Sequence, residues 1–386
     1  MKITEVTTYT VFAGWRNWLF VKIDTDEGVH GVGEGTLEGK EHAVAGAIKD
    51  LSYYLVGKDP AKIRLHLRNM RRDPFWRGGV VLTTAISAVE IALWDIAGKV
   101  NGKPVYALLG GAVNEELPAY ANGWYFGAKS PEEFAERAAG AVKMGYRGLK
   151  WDPFRRADLE ISRDDFAFAV DCVRAVRDAV GPGVDLLIEG HGRFTPAAAV
   201  KIARALEPFD IFWFEEPTPP ENLRALKKTA ERSPIPVATG ERLYTKEEFA
   251  RLLELQAADY IQPDVVHAGG ILELREIAAM AEPWYVQVAP HNPNGPVAMA
   301  ATLHAAATML NLAYIEHLMA DPPWRATIVT QDFSVERNGK FRLPEGPGLG
   351  IDLNVEELER HPYRPVFLNF FSESSVLEKA IHEGGR

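Results

Sequence analysis

The sequence predicts an α/β protein whose larger part is a barrel of the (β/α)₈ type, and three observations support this fold class. Eight short apolar or β-prone segments follow one another from about residue 117. Helical segments with readable start signals separate them, and this alternation is typical of a parallel α/β fold. Seven of the eight segments end in ionisable residues, as expected where barrel strands end at an active site. An open doubly wound sheet is disfavoured because no glycine-rich phosphate loop follows the first of these strands.

Residues 1–116 have a different pattern and are expected to form an α+β domain. Polar and apolar residues alternate over residues 1–10, which predicts a strand. Alternating segments at 18–24 and 28–33 predict a hairpin across the turn at 25–28. Helical patterns follow at residues 42–55, 60–71 and 83–100.

The barrel domain is expected to span residues 117–327. Its helices carry start signals, because Ser130–Glu133 and Thr245–Glu248 are capping boxes. A helix that begins near Arg163 is expected to bury one apolar face, made of Phe166, Val170, Val173 and Val180. The eight candidate strands begin near Leu117, Gly148, Asp185, Asp210, Pro236, Tyr260, Tyr285 and Ala313.

The C-terminal segment, residues 328–386, is too irregular for further barrel elements. It contains a polar turn at Asn338–Gly339, followed by proline-rich and glycine-rich stretches. We expect this segment to pack back against the first domain.

Composition and charge exclude several classes of protein. The 386 residues are 47% hydrophobic and 25% charged, and no unbroken run of eighteen apolar residues predicts a membrane span. A net charge of −10 argues against a nucleic-acid partner. The N-terminus lacks the apolar core of a signal peptide, so we expect a cytoplasmic protein. Cys172, the single cysteine, excludes an intrachain disulfide and is expected to be a small core residue.

The predicted strand ends carry most of the candidate chemistry. Charges crowded at one rim repel each other and lose hydration, so a barrel built for stability alone would not need them. Their regular recurrence therefore indicates a functional site. In chain order these residues are Asn122, Lys150, Asp152, Glu189, His191, Glu215, Glu216, Glu241, Asp264, His291 and Glu316.

Three of these residues are glutamates at an equal spacing of 26 residues, namely Glu189, Glu215 and Glu241. One strand, one helix and two short loops account for such a step, so the three carboxylates are expected to converge at one mouth. Mg²⁺ prefers hard oxygen ligands of this kind, whereas zinc and copper favour histidine and cysteine. The sequence thus predicts a magnesium site.

A second pattern predicts a general base. Asp264 and His291 are 27 residues apart, which places them at the ends of neighbouring strands. There the carboxylate can accept the imidazole N–H and raise the basicity of the ring. His267 lies on the same strand as Asp264 and is expected to have a structural role.

The ordered set of motifs resembles the enolase superfamily, mandelate racemase subgroup, and within it the gluconate and galactonate dehydratases. The resemblance covers essentially the whole chain. The motifs are SAVEIALWDIAGK at residue 87, LLGG at 108, YANGWY at 120, KWDPF at 150, EGHGRF at 189, FEEP at 214, GERL at 240, IQPD at 261, HNP at 291 and IEH at 315.

The resemblance implies a modified TIM barrel of the (β/α)7β type, with residues 1–116 as a capping domain that the C-terminal segment completes. It also implies roles for the strand-end residues. Glu189, Glu215 and Glu241 would bind Mg²⁺, and Glu216 would support the second ligand. The pair Asp264 and His291 would remove a proton next to the substrate carboxylate, whose charge Lys150 would offset. Glu316, kept protonated by a raised pKa, would donate a hydrogen bond to the enolate, and His191 would protonate the departing hydroxyl group.

One departure from the family bears on the reaction. Racemases of this subgroup carry a second basic lysine two residues after the position of Lys150, and here that residue is Asp152. The sequence therefore favours elimination of water from an aldonate such as D-gluconate or D-galactonate over racemisation or epimerisation. The expected product is a 2-keto-3-deoxy acid. Residues expected to contact this substrate are Asn122, Asp152, Trp15, Arg16 and Trp76.

Several alternatives stay open at this point. The substrate could be another acid sugar, namely arabinonate, xylonate, fuconate or galactarate. A cycloisomerase is less favoured because it would usually use lysines on both sides of the metal. A sugar-acid binding protein would have no reason to keep both His191 and the pair of Asp264 and His291. Family analogy also implies a homo-oligomer, from dimer to octamer, without fixing the number of subunits.

Overall fold

The computed structural model describes residues 1–366, and its first part is an α+β domain. Three antiparallel strands form one sheet in which the second strand is central. These strands are β1 (Ile3–Phe12), β2 (Asn17–Thr25) and β3 (His30–Glu34). The hairpin expected between the second and third strands is therefore present.

Four helices follow these strands. They are α1 (Glu41–Leu55), α2 (Ile63–Arg71), α3 (Val80–Asn101) and α4 (Val105–Leu108). Of these, α1 and α3 pack on the sheet. Strand β3 lies directly against α3, because a Cβ at Gly31 would be 2.1 Å from the carbonyl oxygen of Ala92. Within residues 1–366, α3 is the one helix long and apolar enough to cross a membrane, but 72% of its most apolar window is buried in the protein. Its composition is thus that of a core helix.

The larger part of the chain contains eight parallel strands in sequential order around a curled sheet. The predicted barrel is confirmed, and every expected strand is present. The strands are β4 (Glu116–Asn122), β5 (Gly148–Trp151), β6 (Asp185–Glu189), β7 (Ile211–Glu215), β8 (Val237–Thr239), β9 (Tyr260–Ile261), β10 (Gln287–Val288) and β11 (Ile315–Leu318). Strand β11 pairs with β4, and a parallel bridge between Val288 and Leu312 connects β10 to the segment before β11.

Seven α-helices connect these strands, which gives the (β/α)7β arrangement. They are α5 (Pro131–Lys143), α6 (Arg163–Val180), α7 (Pro196–Leu206), α8 (Leu223–Ala230), α9 (Lys246–Leu255), α10 (Ile271–Ala281) and α11 (Pro296–Ala306). Short 3₁₀ helices at Glu207–Phe209 and Glu282–Trp284 extend two of the connections, and a third at Arg325–Ile328 follows β11. The carboxyl ends of the strands all open at one mouth.

The C-terminal segment contacts both parts of the molecule. Its strand β12 (Lys340–Arg342) pairs antiparallel with β4 of the barrel, and a short helix α12 (Val355–Leu358) follows. Farther along, Asp352 bonds to His30 of β3 at 2.8 Å. The segment therefore joins the barrel to the first domain over the described residues. The rest of the predicted segment, residues 367–386, lies outside the described part of the chain.

Candidate active site

Three glutamates converge at the mouth of the barrel. Glu189 and Glu215 are the last residues of β6 and β7 and lie opposite each other in the strand register, while Glu241 follows β8 after one glycine turn. Each offers a carboxylate oxygen, and these oxygens lie within 4.8 Å of one another. The equal spacing in the sequence thus becomes a cluster in space.

The electrostatics of this cluster fit a divalent cation. Burial and the charge of Glu189 raise the pKa of Glu215 well above its usual value, which shows the cost of placing these groups together. The Oε2 atom of Glu189 is buried and has no hydrogen-bond partner within the described residues. A cation among the three carboxylates would relieve both features, and three oxygen ligands suit Mg²⁺ or a similar hard ion.

Lys150, at the third position of β5, reaches into the same cluster. Its Nζ atom lies 2.7 Å from Glu215 Oε1, 3.0 Å from Glu316 Oε1 and 3.4 Å from Glu189 Oε2. Burial disfavours the ammonium form, but the surrounding carboxylates outweigh this effect and raise the pKa of Lys150 well above its usual value. Lys150 is therefore a fixed positive charge between the carboxylates.

On one side of the cluster lies the predicted pair of Asp264 and His291. His291 Nδ1 is 2.7 Å from Asp264 Oδ2, and the buried carboxylate also accepts bonds from the Asn294 side chain and the Val266 N–H. His291 Nε2 faces the cluster, 3.4 Å from Glu241 Oε2. Burial opposes the charged ring, but the nearby carboxylates raise the pKa of His291 to about 10.

His267 bonds through Nδ1 to Thr84 of α3 at 3.0 Å.

A second pair of the same kind lies on the other side of the cluster. His191 Nδ1 is 2.7 Å from Asp152 Oδ2, and the backbone N–H of His191 donates to Glu189 Oε1 at 2.7 Å. Arg193 forms an ion pair with the same Asp152 oxygen. The structure therefore places Asp152 beside His191, whereas the sequence analysis expected it to contact the substrate.

Glu316, at the second position of β11, has surroundings that differ from the expectation. Its carboxylate accepts bonds from Asn122 Nδ2 at 2.7 Å, from the Asn292 N–H at 2.9 Å and from Lys150. Burial would raise the pKa of Glu316, but the charges of Lys150 and His291 and these donors lower it. In this structure three donors therefore favour the ionised carboxylate of Glu316, whereas the sequence analysis expected a raised pKa.

The remaining residues expected to contact a substrate lie in different surroundings. Asn122 is at the mouth, where it binds Glu316. Arg16 is buried between the domains and pairs with Asp321 at 2.8 Å, and Trp15 packs edge-on against Phe126. Trp76 is 83% exposed on the loop between α2 and α3 and contacts Phe75.

Sequence reasoning missed Arg193 and three further residues that support the site. Trp213 donates its indole N–H to Glu215 Oε2 at 3.1 Å, Arg242 pairs with Glu216, and Asn294 donates to Asp264. Two signals were available. Trp213 precedes Glu215 by two residues and shares its face of β7, while Arg242 directly follows a predicted metal ligand.

Both parts of the chain match known families. Residues 133–358 match the family described as enolase C-terminal domain-like, and residues 7–110 match the N-terminal domain of the mandelate racemase and muconate lactonizing enzyme family. The chain belongs to the enolase superfamily. The resemblance drawn from its motifs is confirmed, and residues 7–110 correspond to the capping domain of this superfamily.

Individual members of the superfamily are similar over nearly the whole chain. The D-galactonate dehydratase of Xanthomonas euvesicatoria pv. vesicatoria (strain 85-10) is 37% identical over 375 residues, which cover 95% of each chain. The D-galactonate dehydratase of Variovorax paradoxus (strain S110) is 38% identical, covering 93% of this chain and 94% of the relative. The solved mandelate racemase/muconate lactonizing enzyme from Jannaschia sp. CCS1 is 37% identical, with a TM-score of 0.89 and coverage of 94% and 98%.

Proposed function

We propose that this superfamily member is a Mg²⁺-dependent hydro-lyase that removes water from a sugar acid, with D-galactonate as the first candidate substrate. The observation that carries the proposal is the pair of Asp–His units, Asp264–His291 and Asp152–His191, on the two sides of the carboxylate cluster. Removal of water from a sugar acid needs one base and one acid. The names and similarity of the D-galactonate dehydratases support the choice of substrate.

The difficult step is removal of the proton at C2, which is weakly acidic because its loss creates a dianionic enolate. In the proposal Glu189, Glu215 and Glu241 hold the cation. When bound, Mg²⁺ supplies positive charge that stabilises the developing enolate and offsets the carboxylates that otherwise keep His291 protonated. Lys150 adds a second positive charge next to the substrate carboxylate.

The protein groups then divide the proton transfers. His291 takes the C2 proton at Nε2, while Asp264 holds the ring through Nδ1 and stabilises the imidazolium that forms. Glu316 anchors Lys150 and Asn122 as an ionised acceptor. On the opposite side, His191 gives a proton to the C3 hydroxyl group, and water leaves. The enol product tautomerises to a 2-keto-3-deoxy acid.

Racemisation is disfavoured by the partners of Asp152. A racemase needs a second base on the opposite face of the substrate, and Asp152 occupies the position where racemases of this subgroup carry a second lysine. The Asp152 carboxylate is paired with His191 and Arg193. Asp152 therefore does not supply the amine base that the lysine of a racemase supplies. An elimination with one base and one acid fits these residues better.

The proposal is tested by incubating the protein with a panel of acid sugars and Mg²⁺, with EDTA as a control. The panel includes D-galactonate, D-gluconate, arabinonate, xylonate, fuconate and galactarate, and 2-keto-3-deoxy product is measured. We expect one dominant substrate and loss of turnover with EDTA. The absence of product from every acid sugar would contradict the proposal.

The assignment of the base is tested with His291→Asn in D₂O. We expect both deuterium incorporation at C2 and dehydration to be lost, because the same group starts both processes. His42→Asn, on the exposed side of α1, is the matched control and should retain activity. Continued C2 exchange or full dehydration by His291→Asn would remove this residue from the mechanism.

We also propose that the enzyme acts in the cytoplasm as a homo-oligomer. Cys172, the single cysteine, is buried and unpaired, so the fold needs no oxidising compartment for an intrachain disulfide. Large apolar side chains are exposed at the end of the barrel opposite the mouth, where Tyr285 is 95% and Leu310 70% exposed. Light scattering after size-exclusion chromatography would measure the number of subunits. A monomer at micromolar concentration would contradict the proposed homo-oligomer.

A further inference from the structure

Asp152 is the partner of His191, the acid of the proposed dehydration. It follows β5 directly, at the barrel mouth, and its two carboxylate oxygens have separate partners. Oδ1 accepts the backbone N–H of Phe154 at 2.8 Å, while Oδ2 lies 2.7 Å from His191 Nδ1. The carboxylate is thus fixed to its own loop on one side and to the imidazole on the other.

We propose that Asp152 is the positioning residue for His191 and holds its ring in the orientation and tautomer that deliver a proton to the leaving hydroxyl group. This inference rests on the proposed dehydration and deepens it. It assigns Asp152 to the acid side of the reaction, so that Asp152 does not bind the substrate itself.

The symmetry of the mouth supports this role. The carboxylate cluster comes from β6, β7 and β8, the pair of Asp152 and His191 from β5 and β6, and the pair of Asp264 and His291 from β9 and β10. In both pairs the Asp Oδ2 to His Nδ1 distance is 2.7 Å. The two pairs therefore flank the cluster with the same arrangement, in which Nδ1 of each ring is held by its aspartate.

Arg193 holds the second pair rigid. Its Nε donates to the Gly190 carbonyl at 3.0 Å, and its Nη1 donates to the carbonyls of Arg155 and Ala157 at 3.1 and 3.2 Å. With the guanidinium fixed by these backbone groups, its Nη2 pairs with Asp152 Oδ2. Asp152 therefore has little freedom to turn away from His191.

The backbone of His191 also depends on this network. Its φ of +47° lies in the left-handed region that residues other than glycine rarely adopt. The bond from its N–H to Glu189 Oε1 and the bond from its ring to Asp152 hold that conformation. The same conformation directs the ring beside the carboxylate cluster.

The chemical step follows from this orientation. His191, protonated on both ring nitrogens, transfers the Nε2 proton to the C3 hydroxyl oxygen. The C3–O bond breaks with its electron pair on the departing water, and the enolate electrons form the C2–C3 double bond. The ring is left neutral with its remaining proton on Nδ1, donated to Asp152. No group outside the proposed reaction is needed.

The test is Asp152→Asn, assayed in D₂O with Mg²⁺ and the preferred acid sugar. An amide can still accept the Phe154 N–H, so the loop is preserved, but its NH₂ group cannot accept the Nδ1 proton of His191. We expect product formation to fall about 10–100-fold, by analogy with the loss found when the hydrogen-bond partner of a metal-binding histidine is removed. Exchange of the C2 proton should continue near the wild-type rate, because His291 and Asp264 are unchanged.

Three controls make the result decisive. Asp164→Asn, at the exposed start of α6, should leave both rates unchanged, and Mn²⁺ affinity measured by calorimetry should be the same in wild type and Asp152→Asn. The ¹⁵N NMR signals of His191 should show loss of the Nδ1-protonated tautomer in the variant. Equal loss of C2 exchange and dehydration in Asp152→Asn, or unchanged dehydration in that variant, would overturn the inference about Asp152. Turnover by the wild type would still support the proposed function. No turnover by the wild type with any acid sugar would overturn both.

Discussion

Lys150 shows how a single residue sets the charge balance of the site. Its ammonium group is buried and contacts Glu189, Glu215 and Glu316. Three carboxylates gathered around one ammonium group would repel one another strongly in a medium of low polarity if that group were absent. The ammonium group offsets that repulsion in the absence of a cation, and it stays close to the ligands when a cation is present. Stability and metal binding are thus coupled through Lys150.

Lys150→Met should make the fold depend on a divalent cation. Without the ammonium group the carboxylates are buried and uncompensated, so we expect the free energy of unfolding in EDTA to fall by about 3 kcal/mol. Saturating Mg²⁺ should restore more stability to the variant than to the wild type, as measured by chemical denaturation. Lys201→Met, whose exposed ammonium group lies over the Phe166 ring, is the control. Equal stabilisation of Lys150→Met and the wild type by Mg²⁺ would contradict the coupling of stability and metal binding through Lys150.

The residues of the site could be predicted from the sequence better than their partners. Spacing placed Glu189, Glu215 and Glu241 at the ends of neighbouring strands, because a βα unit has a nearly fixed length. The partner of Asp152 depends on side-chain direction, and spacing along the chain does not encode it. The left-handed backbone at His191 turns its ring toward Asp152, and residue type alone does not predict such a conformation for histidine.

At the level of whole elements, two buried glutamates of the capping domain bind the starts of two barrel helices. Glu90 in α3 accepts the N–H groups of Ile271 and Leu272 at 2.7 and 2.9 Å, at the start of α10. Glu34 in β3 accepts those of Gly295 and Ala298 at 2.6 and 2.8 Å, at the start of α11. A helix start has free N–H groups and a positive dipole end, so each carboxylate serves as a cap supplied by the other domain.

Glu90→Gln should weaken the joint between the domains. The amide can accept at one oxygen only, and its NH₂ group would face a backbone N–H or the Trp94 indole, which now donates to Glu90 at 2.8 Å. We expect the free energy of unfolding to fall by about 2 kcal/mol, since a buried donor loses its partner. Urea denaturation measures the change. Glu136→Gln, on the exposed face of α5, should have little effect, and a similar loss in both variants would contradict the capping role.

The order of elements could be predicted, but the packed face of a helix was predicted only in part. The spacing of apolar residues in α6 indicated Phe166, Val170, Val173 and Val180, whereas the buried residues are Ala169, Cys172, Val173 and Val176. Helix α6 packs closely against α5, and small side chains allow this approach. Phe166 is instead half-buried beneath Lys201. The size of the side chains decides which face of α6 is buried. The hydrophobic pattern of the sequence does not show this, because it contains no information on the neighbouring helix.

At the scale of the whole molecule, the C-terminal segment ties together parts that are far apart in sequence. It adds β12 to the barrel at β4 and then returns to the capping domain. There the N–H of Leu349 donates to the buried Asp95 at 2.8 Å, and Asp352 reaches both His30 and Lys99. The position of the capping domain relative to the barrel therefore depends partly on this segment.

Asp352 should make that connection sensitive to acid. Burial would raise its pKa, but the hydrogen bond with His30 and the charge of Lys99 outweigh burial and hold the pKa at about 2. An unfolded aspartate titrates near about 4, so the stabilising contribution is complete above that pH and is lost as the pH falls toward the folded value. We expect Asp352→Asn to lower the free energy of unfolding by about 1 kcal/mol at pH 6, since the group is partly exposed. Urea denaturation should show this difference nearly constant from pH 6 to about pH 4 and shrinking as the pH falls further to about 3. Asp171→Asn, which removes an exposed ion pair with Arg174, should give a small and constant difference. A difference for Asp352→Asn that stays the same across this range would mean that the segment is held by packing, with no contribution from its charge.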